Sequence, residues 1–249
     1  MQVLTGKAIM EQIVAGKLRF YYRSTPEIPV WSKLDRQQEE QRFRQARHQA
    51  VLELAGLYDR AARQVSERTA SIFAVHAMLL EDEDLENGVL TLIREQGVTA
   101  EYAVQSTGFS FADTFAAMDN TYMQARAADI CDIARRVMRL LTNSRELLEP
   151  DEPSILVSDQ FLPSEVMQFG RNLLGLIARK GSLDSHTAQL VQAYHIPGIV
   201  GVDLAECWDG HFALMDGHRG NVYLDPEQPL LEELRERYQQ GGRPELCMV

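Results

Sequence analysis

The feature that most constrains the fold is a long stretch without proline. Residues 30–149, between Pro29 and Pro150, contain none, and the stretch has only four glycines, at Gly56, Gly88, Gly97 and Gly108. A helix interior tolerates neither residue well, because proline lacks the amide hydrogen and glycine loses more backbone entropy on folding. The stretch therefore predicts an all-helical bundle over residues 30–146.

Apolar residues at helical spacing divide this region into several helices. Leu34–Val65 predicts one helix that is longer than most helices of globular proteins. Two helices follow over residues 66–97, the first capped by Ser66. The next helix begins at Thr99 and the last one near Asp119. These starts are predicted because Ser, Thr and Asp side chains accept hydrogen bonds from the free amides of a first turn.

Outside the two prolines, short β-type runs alternate with helical stretches, which predicts an α/β domain. The runs cover 16–23, 154–159, 197–203 and a hairpin at 210–226, and the helical stretches cover 164–176 and 185–194. We therefore expect residues 1–25 and 150–225 to form one discontinuous α/β domain into which the bundle is inserted. Residues 226–249 are expected to be a linker, with a charged helix over 228–240 that leaves the body and a loose tail.

Composition and charge exclude several classes of protein. The net charge is −11 and the pI about 5.0, which disfavours nucleic acid as a partner. Cys131, Cys207 and Cys247 lie far apart, so neither a disulfide framework nor a metal site is expected. No apolar run reaches the roughly 18 residues that span a bilayer, and the N-terminus does not resemble a signal peptide. We therefore expect a cytoplasmic protein that does not contact membranes.

His186 stands at the start of a predicted helix, behind a turn that contains Gly181. A histidine that accepts a phosphoryl group needs donors for the phosphate oxygens, and the free N–H groups of a helix N-terminus supply them. Ser185 and Thr187 add hydroxyl groups, and Gly181 lets the backbone approach closely. An ordinary exposed histidine in a first helical turn is the alternative, and these residues alone leave both open.

Five collinear segments resemble enzyme I of the bacterial phosphoenolpyruvate:sugar phosphotransferase system. GSLDSHTAQLVQAYHIPGIVG resembles its phosphohistidine segment, and IVAGKLRFY its first strand. HAMLLEDEDLENGVLTLI and YMQARAADICDIARRVMRLL resemble its helical subdomain, and DGHRGNVYLDP its closing hairpin. The resemblance implies an α/β phosphohistidine (swivelling) domain with an inserted helical bundle. It further implies a phosphotransferase that accepts phosphate on Nε2 of His186 and passes it to the phosphocarrier protein HPr, in the service of sugar transport.

The resemblance also implies which bundle residues contact HPr. The implied contacts are His76, Met78, Leu79, Glu67, Asp82, Met123 and Arg126. Purely structural alternatives stay open for most of them. His76 could lie at the edge of the core, and the methionines and Leu79 could pack in it. Glu67 and Asp82 could belong to a solvated acidic face, and Arg126 could form an intrahelical pair with Asp129.

Complete members of that family continue into a (β/α)₈ barrel that binds phosphoenolpyruvate and Mg²⁺ and mediates dimerisation. This sequence ends before such a barrel. We therefore expect this chain by itself to hold no metal or cofactor, to be a monomer and not to use phosphoenolpyruvate; the barrel, if the full gene encodes it, would be a second partner.

Four positions depart from the family's phosphohistidine pattern: Ser182, Asp184, Gln192 and Leu162. Asp184 replaces a threonine, and a carboxylate two residues before the nucleophile repels an incoming phosphate. Gln192 replaces an arginine that would clamp phosphate, and Leu162 replaces a threonine whose hydroxyl would bond the histidine. The alternative function is therefore a non-catalytic module that binds the phosphocarrier and has a decayed phosphohistidine site.

Overall fold

The computed structural model describes residues 1–23, 27–144, 150–239 and 247–248. Within these residues the chain forms one mixed sheet and a group of helices packed against it. No helix of the described part is long and apolar enough to cross a membrane. The α/β character predicted from the alternating pattern is confirmed.

Five helices lie between the third and the fourth strand of the sheet. They are α1 (Arg36–Gln64), α2 (Glu67–Leu80), α3 (Glu83–Thr91), α4 (Ala100–Ala116) and α5 (Thr121–Thr142), with a π-helical turn at Leu92–Gln96. The predicted caps are confirmed, since Ser66 Oγ accepts from Thr69 N and Thr99 Oγ1 accepts from Tyr102 N. The cap of the last helix is Asn120, one residue after the predicted start.

The helices share one apolar core because each turns one stripe of side chains inward. On α1 the buried stripe recurs every three or four residues, at Phe43, Ala46, Ala50, Leu54, Leu57 and Ala61. On α5 the buried stripe also contains charged residues, and these form the site described below. Full burial of a Leu or Phe side chain contributes about 1.5–3 kcal/mol, so this core holds the helices together.

In the part of the chain that the structure describes, the sheet has nine strands. They are β1 (Gln2–Thr5), β2 (Lys7–Ala8), β3 (Ile13–Phe20), β4 (Ser154–Ser158), β5 (Leu173–Ala178), β6 (Gly198–Val200), β7 (Phe212–Asp216), β8 (Asn221–Leu224) and β9 (Cys247–Met248). Their order is β1-β8-β7-β3-β4-β5-β6-β2, and β9 pairs with β3. Strands β3 to β6 are parallel, whereas β7, β8 and β1 continue the sheet in antiparallel fashion.

The N-terminal segment joins the two ends of this sheet. Strand β1 pairs with β8 at one end and β2 pairs with β6 at the other, and only Gly6 separates β1 from β2. Gly6 N donates to Gly220 O at 2.8 Å. Gly220 has a φ of +68°, and a Cβ there would lie 2.5 Å from Gly6 O. Two glycines thus let the backbones approach closely enough for the sheet to close.

Three further helices accompany the strands. They are α6 (Pro163–Val166), α7 (His186–Ala193) and α8 (Gln228–Gln239), with a 3₁₀ turn at Glu206–Trp208. The helix predicted over residues 164–176 is wrong, because α6 ends after one turn and Leu173–Ala178 is strand β5. This apolar run fits a buried strand as well as a helix, and parallel pairing with β4 and β6 decides between them.

The C-terminal helix packs on the sheet instead of leaving the body as predicted. Leu234 of α8 is almost fully buried against Ala15, Leu214 and Tyr223. Of the predicted loose tail over residues 241–249, residues 241–246 and 249 lie outside the described residues, and Cys247–Met248 is β9. The domain limits drawn from the prolines stay a prediction.

We predict that Gly220→Ala destabilises the protein by about 2–4 kcal/mol, because a side chain in the left-handed region costs about 1–2 kcal/mol and the new methyl also meets Gly6 O. Gly56→Ala in α1 is the matched control. A Cβ at Gly56 meets nothing within 4 Å, so we expect a gain of about 0.5–1 kcal/mol there. Urea unfolding measures both, and equal effects of the two changes would contradict this account of the closure.

Candidate functional site

His186 is the first residue of α7, and the preceding turn fixes its position. Ser185 caps the helix: its Oγ accepts from Ala188 N at 3.2 Å and donates to Ser182 O at 2.7 Å. Thr187 Oγ1 donates to Phe161 O at 3.0 Å. Both hydroxyl hydrogens, predicted as phosphate donors, are thus already engaged with backbone oxygens. Ser185 and Thr187 hold the helix in place, and Gly181, with a φ of +149°, shapes the turn before it.

Side chains of α5 surround the imidazole of His186, which is only 8% exposed. Asp129 Oδ2 lies 3.0 Å from His186 Nδ1. Arg126 Nη1 lies 3.0 Å from the same carboxylate oxygen and 2.6 Å from Nδ1, and it also contacts Nε2. Only Arg126 meets the ring with the geometry of a hydrogen bond, and the approach of Asp129 Oδ2 to Nδ1 is a close contact between a carboxylate and the ring.

A second histidine lies behind this carboxylate. His76 Nε2 is 3.2 Å from Asp129 Oδ1, and His76 Nδ1 is 3.7 Å from Asp132 Oδ2. Neither contact has the direction of a hydrogen bond, so both ring nitrogens and Asp129 Oδ1 are buried without a hydrogen-bond partner among the described residues. The predicted contact of His76 with HPr is wrong in this structure, because the side chain is 0% exposed.

Asp132 connects this cluster to the α/β part of the chain. Its carboxylate accepts hydrogen bonds from the backbone N of Ser164, at 2.8 Å, and from Ser164 Oγ. Ser164 belongs to α6, next to Leu162, whose side chain is buried and apolar. The bundle therefore contacts α6 through Asp132 and α7 through Asp129.

Burial and charge act against each other on Asp129. Burial alone would raise the pKa of this carboxyl, but its contacts with His186 and His76 outweigh burial and hold the pKa well below its usual range. The largest single lowering of the pKa of Asp129 comes from the contact with His186. Asp129 is therefore an ionised carboxylate at neutral pH, buried beside the cation of Arg126.

Three of the departures from the family pattern, Asp184, Gln192 and Ser182, do not contact the His186 ring. Asp184 is exposed, and the carboxylate that contacts the His186 ring is Asp129. Gln192 is also exposed and donates from Nε2 to Ile9 O at 3.2 Å. Ser182 Oγ accepts from Asp184 N at 3.2 Å. Nearness to His186 along the chain therefore did not indicate which side chains would contact its ring.

The residues predicted to contact HPr fall into two groups. Met78 is 71% exposed, and Glu67 and Asp82 are exposed as well, whereas Leu79 and Met123 are half-buried. Arg126 is buried in contact with Asp129 and His186. It therefore belongs to the histidine cluster, and the intrahelical pair considered from the sequence is present.

Sequence reasoning missed Asp132 and Ser164 and treated Asp129 only as a helix partner. A signal was available, since Arg126, Asp129 and Asp132 recur every three residues on the buried stripe of α5. Charged residues at core positions of a helix are costly unless they are paired. Such a pattern indicates a buried polar cluster, although it does not identify the partners.

Within the described residues, His76, Asp129 and His186 are also the one group with the composition and spacing of a metal site. The arrangement offers two distinct capacities: an imidazole in close contact with a carboxylate and a guanidinium, and a set of nitrogen and oxygen ligands.

Two protein-family models match the chain. Residues 5–126 match the model of the N-terminal part of PEP-utilising enzymes, and residues 150–220 match that of their mobile domain. Together they cover most of the sequence, including α7 and its histidine.

Curated relatives carry the name phosphoenolpyruvate-protein phosphotransferase. The proteins of Bacillus sp. (strain S) and Geobacillus stearothermophilus are each 32% identical over 94% of this chain, and that of Bacillus subtilis is 31% identical over 96%. The chain spans 44%, 44% and 43% of those proteins, less than half of their length.

Two solved structures share the fold. The solution structure of an enzyme I protein superposes with a TM-score of 0.68 at 25% identity, covering 96% of this chain and all of that chain. A structure titled as the N-terminal domain of Enzyme 1 - Nitrogen superposes with a TM-score of 0.60 at 26% identity, covering 95% of this chain and 99% of that chain.

We predict that Asp129→Asn costs about 3 kcal/mol at neutral pH, because it leaves Arg126 without its buried counter-charge. The pKa of Asp129 is lower in the folded state than in the unfolded chain, where it is about 3.9. The ionised carboxylate therefore stabilises the fold above that pH, and its contribution is lost as the pH falls toward the folded-state pKa.

Urea unfolding of both proteins at about pH 7 and about pH 3.5 measures this difference, which should shrink at the lower pH. Asp59→Asn on the exposed side of α1 is the control, with an expected effect within about 0.5 kcal/mol. A loss that is the same at both pH values would contradict the role given to the ionised carboxylate.

Proposed function

The chain belongs to the phosphoenolpyruvate-protein phosphotransferase family, and on that premise we propose that it relays a phosphoryl group through His186 to the phosphocarrier protein HPr. The observation that carries this proposal is the contact of Asp129 Oδ2 with His186 Nδ1, which leaves Nε2 as the nucleophile. The inserted helical bundle supplies both this carboxylate and the docking surface. The family resemblance implies that a barrel loads phosphate from phosphoenolpyruvate with Mg²⁺, and this proposal assigns that step to residues outside this chain.

In the transfer step the lone pair of Nε2 attacks the phosphorus of the donor. A new N–P bond forms at His186 while the bond from phosphorus to the donor atom breaks, and the donor keeps that bond's electron pair. The hydrogen on Nδ1 stays on the ring, where the carboxylate of Asp129 faces it and stabilises the positive charge that develops on the imidazole. Transfer to HPr reverses these roles, with a histidine of HPr as the nucleophile.

Arg126 would have two positions in this cycle. In the structure its guanidinium contacts Nε2, the atom that must receive phosphorus, so it has to move away before transfer. Its Cζ lies 4.3 Å from the centre of the Tyr122 ring, and Tyr122 is exposed, so the guanidinium already lies near the surface. After the move it can bind phosphate oxygens, as arginine does with bidentate geometry.

The first turn of α7 would supply further donors. The leading amides of a helix have no acceptor within the helix, and the positive end of the helix dipole attracts an anion. Ser185 and Thr187 fix this turn against neighbouring backbone. The phosphate would therefore meet backbone N–H groups and Arg126, which replace the side-chain hydroxyls expected from the sequence.

The docking surface that we propose comprises the exposed apolar side chains Val75, Met78 and Tyr122 with the acidic residues Glu67 and Asp82. Val75 and Met78 are on α2, whose buried face carries His76, with its ring centre 6.1 Å from that of His186. A partner on this surface is thus next to the histidine cluster. With a net charge of −11, the chain attracts a partner that has a basic face.

The alternative, a binding module with a decayed site, is less well supported. The residues that depart from the family pattern, Asp184 and Gln192, are exposed, while the ring keeps an ionised carboxylate and a guanidinium as neighbours. The proposal therefore retains phosphoryl acceptance as the function.

We predict that phosphorylated HPr transfers an acid-labile, base-stable phosphate to the 249-residue chain, and that His186→Ala abolishes the label because no other nucleophile replaces Nε2. His48→Ala on the exposed side of α1 is the matched control and should label like the unaltered chain. Autoradiography after brief incubation measures the label. Labelling that persists in His186→Ala would refute the assignment.

We predict that Met78→Ala weakens binding of HPr by about five- to tenfold, the loss expected when an exposed apolar contact worth about 1 kcal/mol is removed. Leu52→Ala, which truncates a 52% exposed leucine on α1, is the matched control and should leave the affinity unchanged. Calorimetric titration gives both values. Added salt should weaken binding if the acidic residues attract the partner. Equal losses in the two variants would argue against this surface.

A further inference from the structure

We propose that His76, Asp129 and His186 also bind a divalent transition-metal ion, with Zn²⁺ as the best-suited ion, and that Arg126 competes with the metal for this site. Two imidazole nitrogens and one carboxylate oxygen of these residues lie within 4.8 Å of one another. Imidazole and carboxylate are ligands that Zn²⁺ accepts, and three protein ligands leave a fourth position for water.

The distances fit a tetrahedral ion. Two ligand atoms at about 2.0 Å from Zn²⁺ lie about 3.3 Å apart at the tetrahedral angle. His76 Nε2 and Asp129 Oδ1 are 3.2 Å apart, and His186 Nδ1 and Asp129 Oδ2 are 3.0 Å apart. The two pairs use different oxygens of Asp129, so the carboxylate has to turn, or one histidine has to shift, for a single ion to bind all three side chains, whose ligand atoms lie within 4.8 Å of one another.

Unsatisfied polar atoms are the second observation. Both ring nitrogens of His76 and Oδ1 of Asp129 are fully buried and have no hydrogen-bond partner among the described residues. Buried polar atoms are seldom left unpaired, and a missing ion is one of the recognised reasons. A metal bound by His76 Nε2 and Asp129 Oδ1 would satisfy two of the three.

The surroundings of His76 supply the outer contact that metal-binding histidines usually have. A histidine ligand commonly donates its other ring N–H to a carboxylate, which orients the ring. His76 Nδ1 lies 3.7 Å from Asp132 Oδ2, and Asp132 is itself fixed by Ser164. With Nε2 on the metal, the hydrogen of the neutral ring is on Nδ1, and a rotation of the ring would be needed to bring it within hydrogen-bond distance of this carboxylate.

Arg126 determines whether the site is open. Its Nη1 contacts both His186 and Asp129 Oδ2, so the guanidinium occupies the space, and supplies the positive charge, that a metal ion would. The two cations exclude each other. Loss of the guanidinium should therefore strengthen metal binding.

Metal binding has a consequence that rests on the proposed function. A neutral imidazole has one lone pair, so coordination through His186 Nδ1 moves the ring hydrogen to Nε2. The nitrogen that would attack phosphorus is then protonated, and Arg126 is displaced. Bound metal should therefore block phosphoryl acceptance.

Titration of the 249-residue chain with Co²⁺, a coloured substitute for Zn²⁺, tests the site without any phosphoryl donor. We expect one ion per chain, with visible bands of a nitrogen–oxygen site and no near-ultraviolet band of a thiolate. His76→Gln should lose the bands, and Arg126→Ala should bind at least tenfold more tightly. His48→Gln, which changes an exposed histidine, should bind like the unaltered chain.

Three results would overturn the site: a thiolate band, which would assign the ion to an exposed cysteine such as Cys207; equal binding by His76→Gln; or weaker binding by Arg126→Ala. The gain in Arg126→Ala cannot arise from misfolding. Labelling by phosphorylated HPr, with and without Zn²⁺, then tests the consequence. If labelling fails without metal while Co²⁺ still binds, the proposed function is refuted and the metal site is supported. If labelling succeeds while Co²⁺ does not bind, the metal site is refuted and the proposed function is supported.

Discussion

The buried carboxylate of Asp129 is the constraint on which the rest of the site depends. A charge that is fully removed from water must be paired, because an unpaired buried ion is costly. Asp129 finds Arg126 on its own helix, His76 on α2 and His186 on α7. These elements belong to the helical group and to the α/β part, so pairing one carboxylate fixes the position of the two parts relative to each other. The contact of Asp132 with Ser164 adds a second attachment on the same face of α5.

The contacts of Asp129 and Arg126 hold the ring of His186 in place and also cover it. The proposed transfer needs Nε2 free of hydrogen and accessible, but the ring is almost fully buried and Arg126 contacts that nitrogen. On the proposed function, transfer therefore requires motion of Arg126, of α7 relative to the bundle, or of both. Such motion separates charges that are paired in the structure. A donor that brings its own negative phosphate compensates for this separation, since the phosphate can replace Asp129 as the partner of Arg126. The arrangement thus favours opening when a phosphorylated partner is present.

The sequence predicted the features that depend on neighbouring residues and missed those that depend on distant ones. The helices and the caps at Ser66 and Thr99 follow from local rules of spacing and hydrogen bonding. Strand β5 was mistaken for a helix because its run of apolar residues lacks a period, and only pairing with β4 and β6 reveals it. His186 was singled out by its place at a helix start together with the family resemblance. Asp129 was not assigned to it, since the contact joins residues 57 positions apart along the chain.

This difference also explains why the substitutions around His186 carry less weight than the sequence suggested. Asp184 was expected to act on the ring because it is two residues away, yet its side chain is exposed, where water and salt screen a charge. Asp129 is buried in contact with the ring, where the effective dielectric constant is lower and a charge acts more strongly. The carboxylate that acts most directly on His186 therefore comes from α5 and not from the turn before α7. On the proposed function, the charged neighbours of the nucleophile are Arg126 and Asp129, and residues 182, 184 and 192 matter less to its chemistry.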